Sequence, residues 1–276
     1  MSSGYSFHIA PRALDLGRAF SPGILFADSV RHVIDGHVAS GPYYRIATSR
    51  SALALSESAL ERRMRTLFAL DLNPLICMTR QLDSELALFR AWNTYQKHVT
   101  LAVRTVIHGT STESFHVDRK QISYATDPTA ARSAGLCAIE ILRSAARDKR
   151  ERRTVSGDHR NLRLSGIAAE LGLQHSIVFD VALCFEQDRG LNVSRLCRAL
   201  GCHRRTLERQ FRSFGLTVEQ LKMASALAGA TQSLWGTASL TDIAFEHGYS
   251  DQAHMTRAFH HACGMPPSVL RRLAIH

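Results

Sequence analysis

The sequence predicts a mainly α-helical chain, with an α+β N-terminal part followed by an all-α C-terminal part. Three observations predict it. Apolar residues recur at helical spacing through most of the chain. The alternation typical of a strand is confined to one stretch near residue 100. Downstream of about residue 176 no convincing strand pattern appears.

The elements follow in order. Ala52 to Leu70 is apolar at helical spacing through Leu53, Leu60, Met64, Leu67 and Phe68, and Leu82 to Tyr95 continues in the same way. Val99 to Ile107 alternates as a strand. Gly109 and the Thr-Ser-Thr after it read as a turn, and Ser114 to Asp118 as the strand that pairs back. Ala130 to Ala146 is another amphipathic pattern, with Leu136, Ile139, Leu142 and Ala146 on its apolar face. Ala146 to Asn161 is then dense in charge and closes in Ser-Gly-Asp, a helix end followed by a solvated linker. Ile177 to Glu186 is apolar enough for a helix, with Gly190 as its stop. A length of 276 residues is comfortable for two domains. We expect them at 1–170 and 176–276.

Composition narrows the function classes. Hydrophobic residues make up 45% and charged residues 21%, a globular composition. No run approaches the roughly 18 apolar residues of a membrane span, and the first residues lack a signal-peptide layout. A cytoplasmic protein without a membrane partner is expected. The net charge of +10 suits a polyanionic partner. Residues 190–276 carry ten Lys/Arg against five Asp/Glu (+5), and the longer remainder 24 against 19 (+5). The basic excess is therefore denser toward the C-terminus.

The six cysteines form no C-x-x-C pair. Cys197 and Cys202 with His203 match no common zinc spacing, and Cys197 falls on an apolar helix face. His8, His32, His37, His98 and His116 are scattered, and each reads as a surface or internally satisfied residue. No metal and no cofactor are expected. Cys77 and Cys137 lie in apolar contexts, and there is neither a phosphate-cradling glycine loop nor a nucleophile elbow. No catalytic residue is assigned.

An internal repeat carries the functional signal. Val193 to Phe211 aligns with Leu240 to Phe259 when Gly201 is set against Gly248. Val193, Leu196 and Cys197 then meet Leu240, Ile243 and Ala244, while Leu207 and Phe211 meet Met255 and Phe259. Each copy reads as a short helix, a glycine turn that takes positive φ cheaply, and a second helix crossing the first. That is helix-turn-helix geometry. On the second helices the free face carries Arg204, Arg205, Glu208 and Arg209, and in the other copy Gln252, Ala253, Thr256 and Arg257, flanked by Asp251 and His254. Arg, Gln and Thr side chains can reach base edges or phosphates. Between the copies, Thr217-Val-Glu-Gln is a capping-box start. Leu221, Ala224, Leu227, Ala228 and Leu234 then stripe a helix of about 18 residues, roughly 27 Å long.

Asn192 to Arg272 resembles the DNA-binding domain of the AraC/XylS family of bacterial transcription regulators. The second copy carries most of the likeness through Ile243-Ala244, Gly248-Tyr249, Ser250-Asp251-Gln252, Arg257-Ala258-Phe259, Gly264 and Pro267-Ser268. The resemblance implies a seven-helix domain with two helix-turn-helix units on double-stranded DNA, usually as an activator, with RNA polymerase as a further partner. The family's base-reading positions match Arg205, Glu208 and Arg209, then Asp251, Gln252, His254 and Arg257. Ala226 stands where the family's connecting helix usually has an arginine, which leaves Lys222 as that helix's sole cation. Leu82 to Tyr124 resembles the end of an effector-binding or dimerisation domain of some members. A small-molecule effector and a second copy of the chain both stay open as partners, and no effector-binding residue is assigned. Two other readings also stay open: a DNA-binding module fused to a DNA-repair-like enzyme, and a first unit that contacts protein instead of DNA.

Overall fold

The structure is a computed structural model. It describes residues 5–109, 115–122, 127–152 and 163–275, with side chains to residue 148 in the third segment. Most of the expected linker lies outside these residues, as do positions 110–114, which hold the expected turn after Gly109 and Ser114 at the start of the expected returning strand. Sixteen helices and four short strands are found among the described residues.

The N-terminal half opens with β1 (Tyr5–Phe7), α1 (Ile9–Leu14), α2 (Pro22–Ile34), β2 (His37–Ala39), α3 (Ser40–Ala47), α4 (Arg50–Leu53), α5 (Glu57–Leu70), α6 (Pro74–Thr79) and α7 (Glu85–His98). The hairpin β3 (Val103–Gly109) and β4 (Phe115–Gln121) and the long helix α8 (Thr129–Arg152) complete it. β1 pairs antiparallel with β2, and β3 with β4. The second half is wholly helical: α9 (Leu164–Glu170), α10 (Ile177–Gln187), α11 (Val193–Ala199), α12 (Arg204–Ser213), α13 (Val218–Ser233), α14 (Leu240–Glu246), α15 (Gln252–Cys263) and α16 (Pro267–Ile275). From α10 to α16 this is seven helices.

Local chemistry sets half of the helix starts among the described residues. Side-chain oxygens of Ser49, Ser56, Asn73, Ser84, Asn192, Thr217, Ser239 and Asp251 each accept a backbone N–H from the first turn. Thr217 and Gln220 form the full reciprocal box. Ser56 also explains a departure from the expected helix over 52–70. By capping α5 it breaks the run into α4 and α5, which leaves Leu53 57% exposed, whereas Leu60, Met64, Leu67 and Phe68 are buried. The expected strand begins four residues late, because Val99 closes α7 by donating its N–H to the Tyr95 carbonyl. In α8, Leu136 is 43% exposed and not on the buried face, which Ile139 and Ala146 do occupy.

The β3–β4 hairpin has its own small core of Phe89, Ile107 and Ile139, with Trp92, Phe115 and Val117 packed around it. α7 completes β3 as a neighbouring strand would. Asn93 donates to the Ile107 carbonyl and accepts its N–H, at 2.8 and 2.9 Å. Gln96 accepts the Thr105 N–H, and the Trp92 indole donates to the Thr105 carbonyl.

The two halves share one continuous core. α13 packs against α10 and α12 on its own side and against α2 and α6 from the N-terminal half. It was expected to bury a single stripe. Instead Val218, Leu221, Ala224, Ser225, Leu227, Ala228, Ala230 and Thr231 are all buried, so more than one face is covered. α6 also touches α15 and α16. Polar contacts converge on the last turn of α15. The Gly36 N–H and Asn73 Nδ2 both donate to the Ala262 carbonyl, each at 2.9 Å. A Cβ on Gly36 would meet Asn73 Nδ2 at 2.5 Å and the Ala262 carbonyl at 2.7 Å, so this approach requires glycine. Arg31 of α2 donates to the Gly215 carbonyl.

Candidate nucleic-acid interface

Two helix pairs, α11–α12 and α14–α15, are built alike. Each first helix buries one face: Leu196 in α11, Ile243 and Ala244 in α14. Each turn pivots on a glycine in the left-handed region, with φ of 60° at Gly201 and 80° at Gly248. Each closes with the same bond spanning five residues. The Cys202 N–H reaches the Cys197 carbonyl at 3.0 Å, and the Tyr249 N–H the Ala244 carbonyl at 2.9 Å. Each second helix is then anchored by two fully buried side chains at i, i+4: Leu207 and Phe211, or Met255 and Phe259. Burying each phenylalanine contributes about 1.5–3 kcal/mol, which holds the second helix down and leaves its opposite side to solvent.

That outer side carries the expected residues. On α12, Arg204, Arg205 and Arg209 are exposed and Glu208 is half-exposed. Arg204 Nε donates to Glu208 Oε1 at 2.8 Å. The pairing raises the Arg204 guanidinium and lowers the Glu208 carboxyl, the hydrogen bond being the larger cause of each. Arg205 and Arg209 make no hydrogen bond or salt bridge among the described residues. Their guanidinium groups, five fixed donors each, are free to meet an outside acceptor.

On α15, Asp251, Gln252, Ala253, His254 and Arg257 are exposed and Thr256 is half-buried. Several are engaged locally in ways the sequence pattern did not reveal. Asp251 caps the helix, accepting the His254 N–H at 2.6 Å, and that bond lowers its carboxyl. Gln252 Oε1 accepts the Thr241 hydroxyl at 3.1 Å, tying α15 back to α14. Thr256 donates to the Gln252 carbonyl. His254 lies edge-on to Tyr249, its Nδ1 3.3 Å from Ser250 Oγ. Arg257 makes no hydrogen bond or salt bridge among the described residues. The Gln252 amide N–H₂ remains available, so Gln252 and Arg257 present the open donors of this helix.

Two groups behind the interface were not singled out from sequence. His247 closes α14; its Nε2 is 2.9 Å from Ser233 Oγ of α13. Burial, aided by the Arg189 guanidinium, pushes it down to about 4, so its imidazole is neutral at physiological pH. Arg271 of α16 donates to the Leu234 and Ala238 carbonyls, each at 2.9 Å, and fixes the α13–α14 connection.

The geometry defines a helix-turn-helix module, and comparison with known proteins agrees. Residues 196–273 match the family described as a helix-turn-helix domain. This segment is a DNA-binding domain of the AraC type. No curated protein matches the sequence. Among solved structures, a transcriptional regulator from Pseudomonas aeruginosa, CdpR, is 15% identical over 84% of this chain and 91% of its own, with a TM-score of 0.33.

Proposed function

We propose that the chain is a sequence-specific regulator of transcription whose two helix pairs read successive major grooves of one duplex. The observation that carries this reading is the paired construction itself. Two second helices are pinned by matching buried residues, each with unengaged donors on its outer face. α13 has 16 residues, about 24 Å at 1.5 Å per residue. With the turns at its two ends, a strut of that length is proposed to set the pairs near one DNA turn apart, about 34 Å between successive grooves on one face. Arg205 and Arg209 are the base readers of the first unit, and Gln252 and Arg257 those of the second. Asp251 acts by shaping the start of its helix. Because two units lie in one chain, a homodimer is not needed for a two-groove site. By the habit of the resembling family, the protein works as an activator alongside RNA polymerase in the bacterial cytoplasm. No helix of the described residues is long and apolar enough to cross a membrane.

The N-terminal half is proposed to bind an apolar small molecule. A cavity of about 140 Å³ lies beneath α1, lined by Phe7, Tyr43, Tyr44, Trp92, Tyr95 and side chains of α6 and α8. That volume is close to the ~150 Å³ of an apolar protein cavity known to admit benzene. The reading as a DNA-repair-like enzyme is disfavoured by the cysteines. Burial pushes Cys77 up to about 11 and Cys263 up to about 12, and raises Cys137. A nucleophilic thiol needs the opposite setting.

The test is binding to a site recovered by selection from randomised DNA. Arg205→Ala and Arg209→Ala are each expected to raise Kd by about 5- to 150-fold if they contact guanines. Gln252→Ala should change the recovered motif more than the salt dependence. Unchanged affinity in both arginine variants would instead make the first unit a protein-contact surface.

A further inference from the structure

We propose that the outer face of the β3–β4 hairpin binds one divalent transition-metal ion, of the zinc or nickel type, through His108, His116 and Asp118. The pairing register creates the cluster. His108 lies directly opposite His116, and Asp118 is two residues beyond His116 on the same face. The sequence separates the two histidines by a turn, so neither reads as a partner of the other. In the fold their rings stack at 4.7 Å with planes 14° apart. Asp118 reaches His108 Nε2 at 3.2 Å and His116 Nε2 at 3.9 Å.

Those atoms suit the proposed ion. One ligand atom from each residue lies within 4.8 Å of the other two. Tetrahedral bonds of about 2.0–2.1 Å to N and O put ligand atoms roughly 3.4 Å apart. All three side chains are exposed, so rotation about their own torsions suffices to close the difference. Two imidazoles and one carboxylate are a donor set for zinc, nickel or copper, not for calcium or magnesium. Three protein ligands leave a fourth position for water.

The scaffold is rigid where the site needs it. Ile107, next to His108, has both its backbone groups held by Asn93, and the opposite face of the hairpin is packed on α7 and α8. The cations of the same face, Arg104 and Lys120, form a cross-strand pair nearer the hairpin base. An ion here would staple β3 to β4 across the strand pair.

The experiment is zinc titration of the full-length, untagged protein against a chromophoric chelator, with hydrogen exchange of the hairpin amides followed alongside. The six free cysteines give a background common to all variants, so the readout is the difference. His108→Ala/His116→Ala should bind one equivalent fewer than wild type. Asp118→Asn should keep that equivalent with affinity lowered by about tenfold or more, since even outer-shell losses cost 10–100-fold. Zinc should slow exchange in β3 and β4 in the wild type and not in the double variant. Equal stoichiometry in wild type and double variant would overturn the proposal. So would an Asp118→Asn protein with wild-type affinity, or exchange that ignores zinc. Far-UV circular dichroism and DNA binding should be unchanged in every variant, because all three side chains project into solvent.

Discussion

Asn73 joins three elements, and its removal should be costly for reasons that can be added up. Its Oδ1 accepts the Leu75 N–H at 3.0 Å and caps α6, while its Nδ2 donates to the His32 carbonyl of α2 and the Ala262 carbonyl of α15. The residue is fully buried. Losing a side-chain cap costs about 1 kcal/mol, and each hydrogen bond contributes about 1 kcal/mol. Asn73→Ala should therefore lose roughly 3 kcal/mol, equivalent to ~6 °C or more in Tm at about 2–4 °C per kcal/mol for chains approaching this size. Asn73→Asp is the sharper test. It keeps the cap but turns the donor into a carboxylate oxygen facing two carbonyls, beside Asp71, whose Oδ1 already accepts the Asn73 N–H at 2.8 Å. A buried unpaired charge is worse than a missing group, so Asn73→Asp should be at least as destabilised as Asn73→Ala. The assay is urea unfolding of the full chain, followed by far-UV dichroism and by tryptophan fluorescence, with coincident curves required. An Asn73→Asp protein as stable as wild type would show that the Asn73–Ala262 bond does not hold the two halves together.

The turn glycines should respond unequally to alanine. At Gly201 only the positive φ is strained, a cost of about 1–2 kcal/mol, whereas a Cβ at Gly248 also meets the Arg189 carbonyl at 3.3 Å; equal losses on denaturation would refute the comparison. His247 sits near 4 when folded, below the ~6.5 of an unfolded chain. As pH falls, the unfolded state takes up the proton first, so the contribution of His247 is complete above about pH 6.5 and is lost between there and about 4. The stability gap between wild type and His247→Gln should narrow across that window, and a constant gap would contradict the assignment. DNA affinity should fall steeply with salt, and log Kd against log salt should flatten by roughly one phosphate contact when a backbone-contacting cation is removed. Trp92→Phe should loosen the hairpin at Thr105, seen as faster exchange of its amides without loss of DNA binding.

The C-terminal half was legible because its signals are local. Period, turn glycine and capping box all lie within about 20 residues, and the two copies check one another. The roles of single interface residues were less legible. Asp251 and Gln252 also make local bonds, one capping its own helix and the other accepting from Thr241, arrangements that depend on side-chain rotamers. The N-terminal half was hard to read for a different reason. β1 and β2 have three residues each, too few to show alternation, and α6 has six. α13 misled in its turn because Ser225, Ala230 and Thr231, which lie off the expected stripe, are small or polar and do not look buried in sequence. Part of what covers it is α2, nearly two hundred residues earlier. The metal-site triad needed strand register, which periodicity does not supply.

Helix α6 works as a party wall. Leu75, Ile76 and Met78 close the cavity of the N-terminal half, while the same helix, six residues long, contacts α13, α15 and α16. A helix that short has no room to absorb a displacement within itself. Pressure from an occupied cavity would pass to α15 through the contact that α6 makes with it.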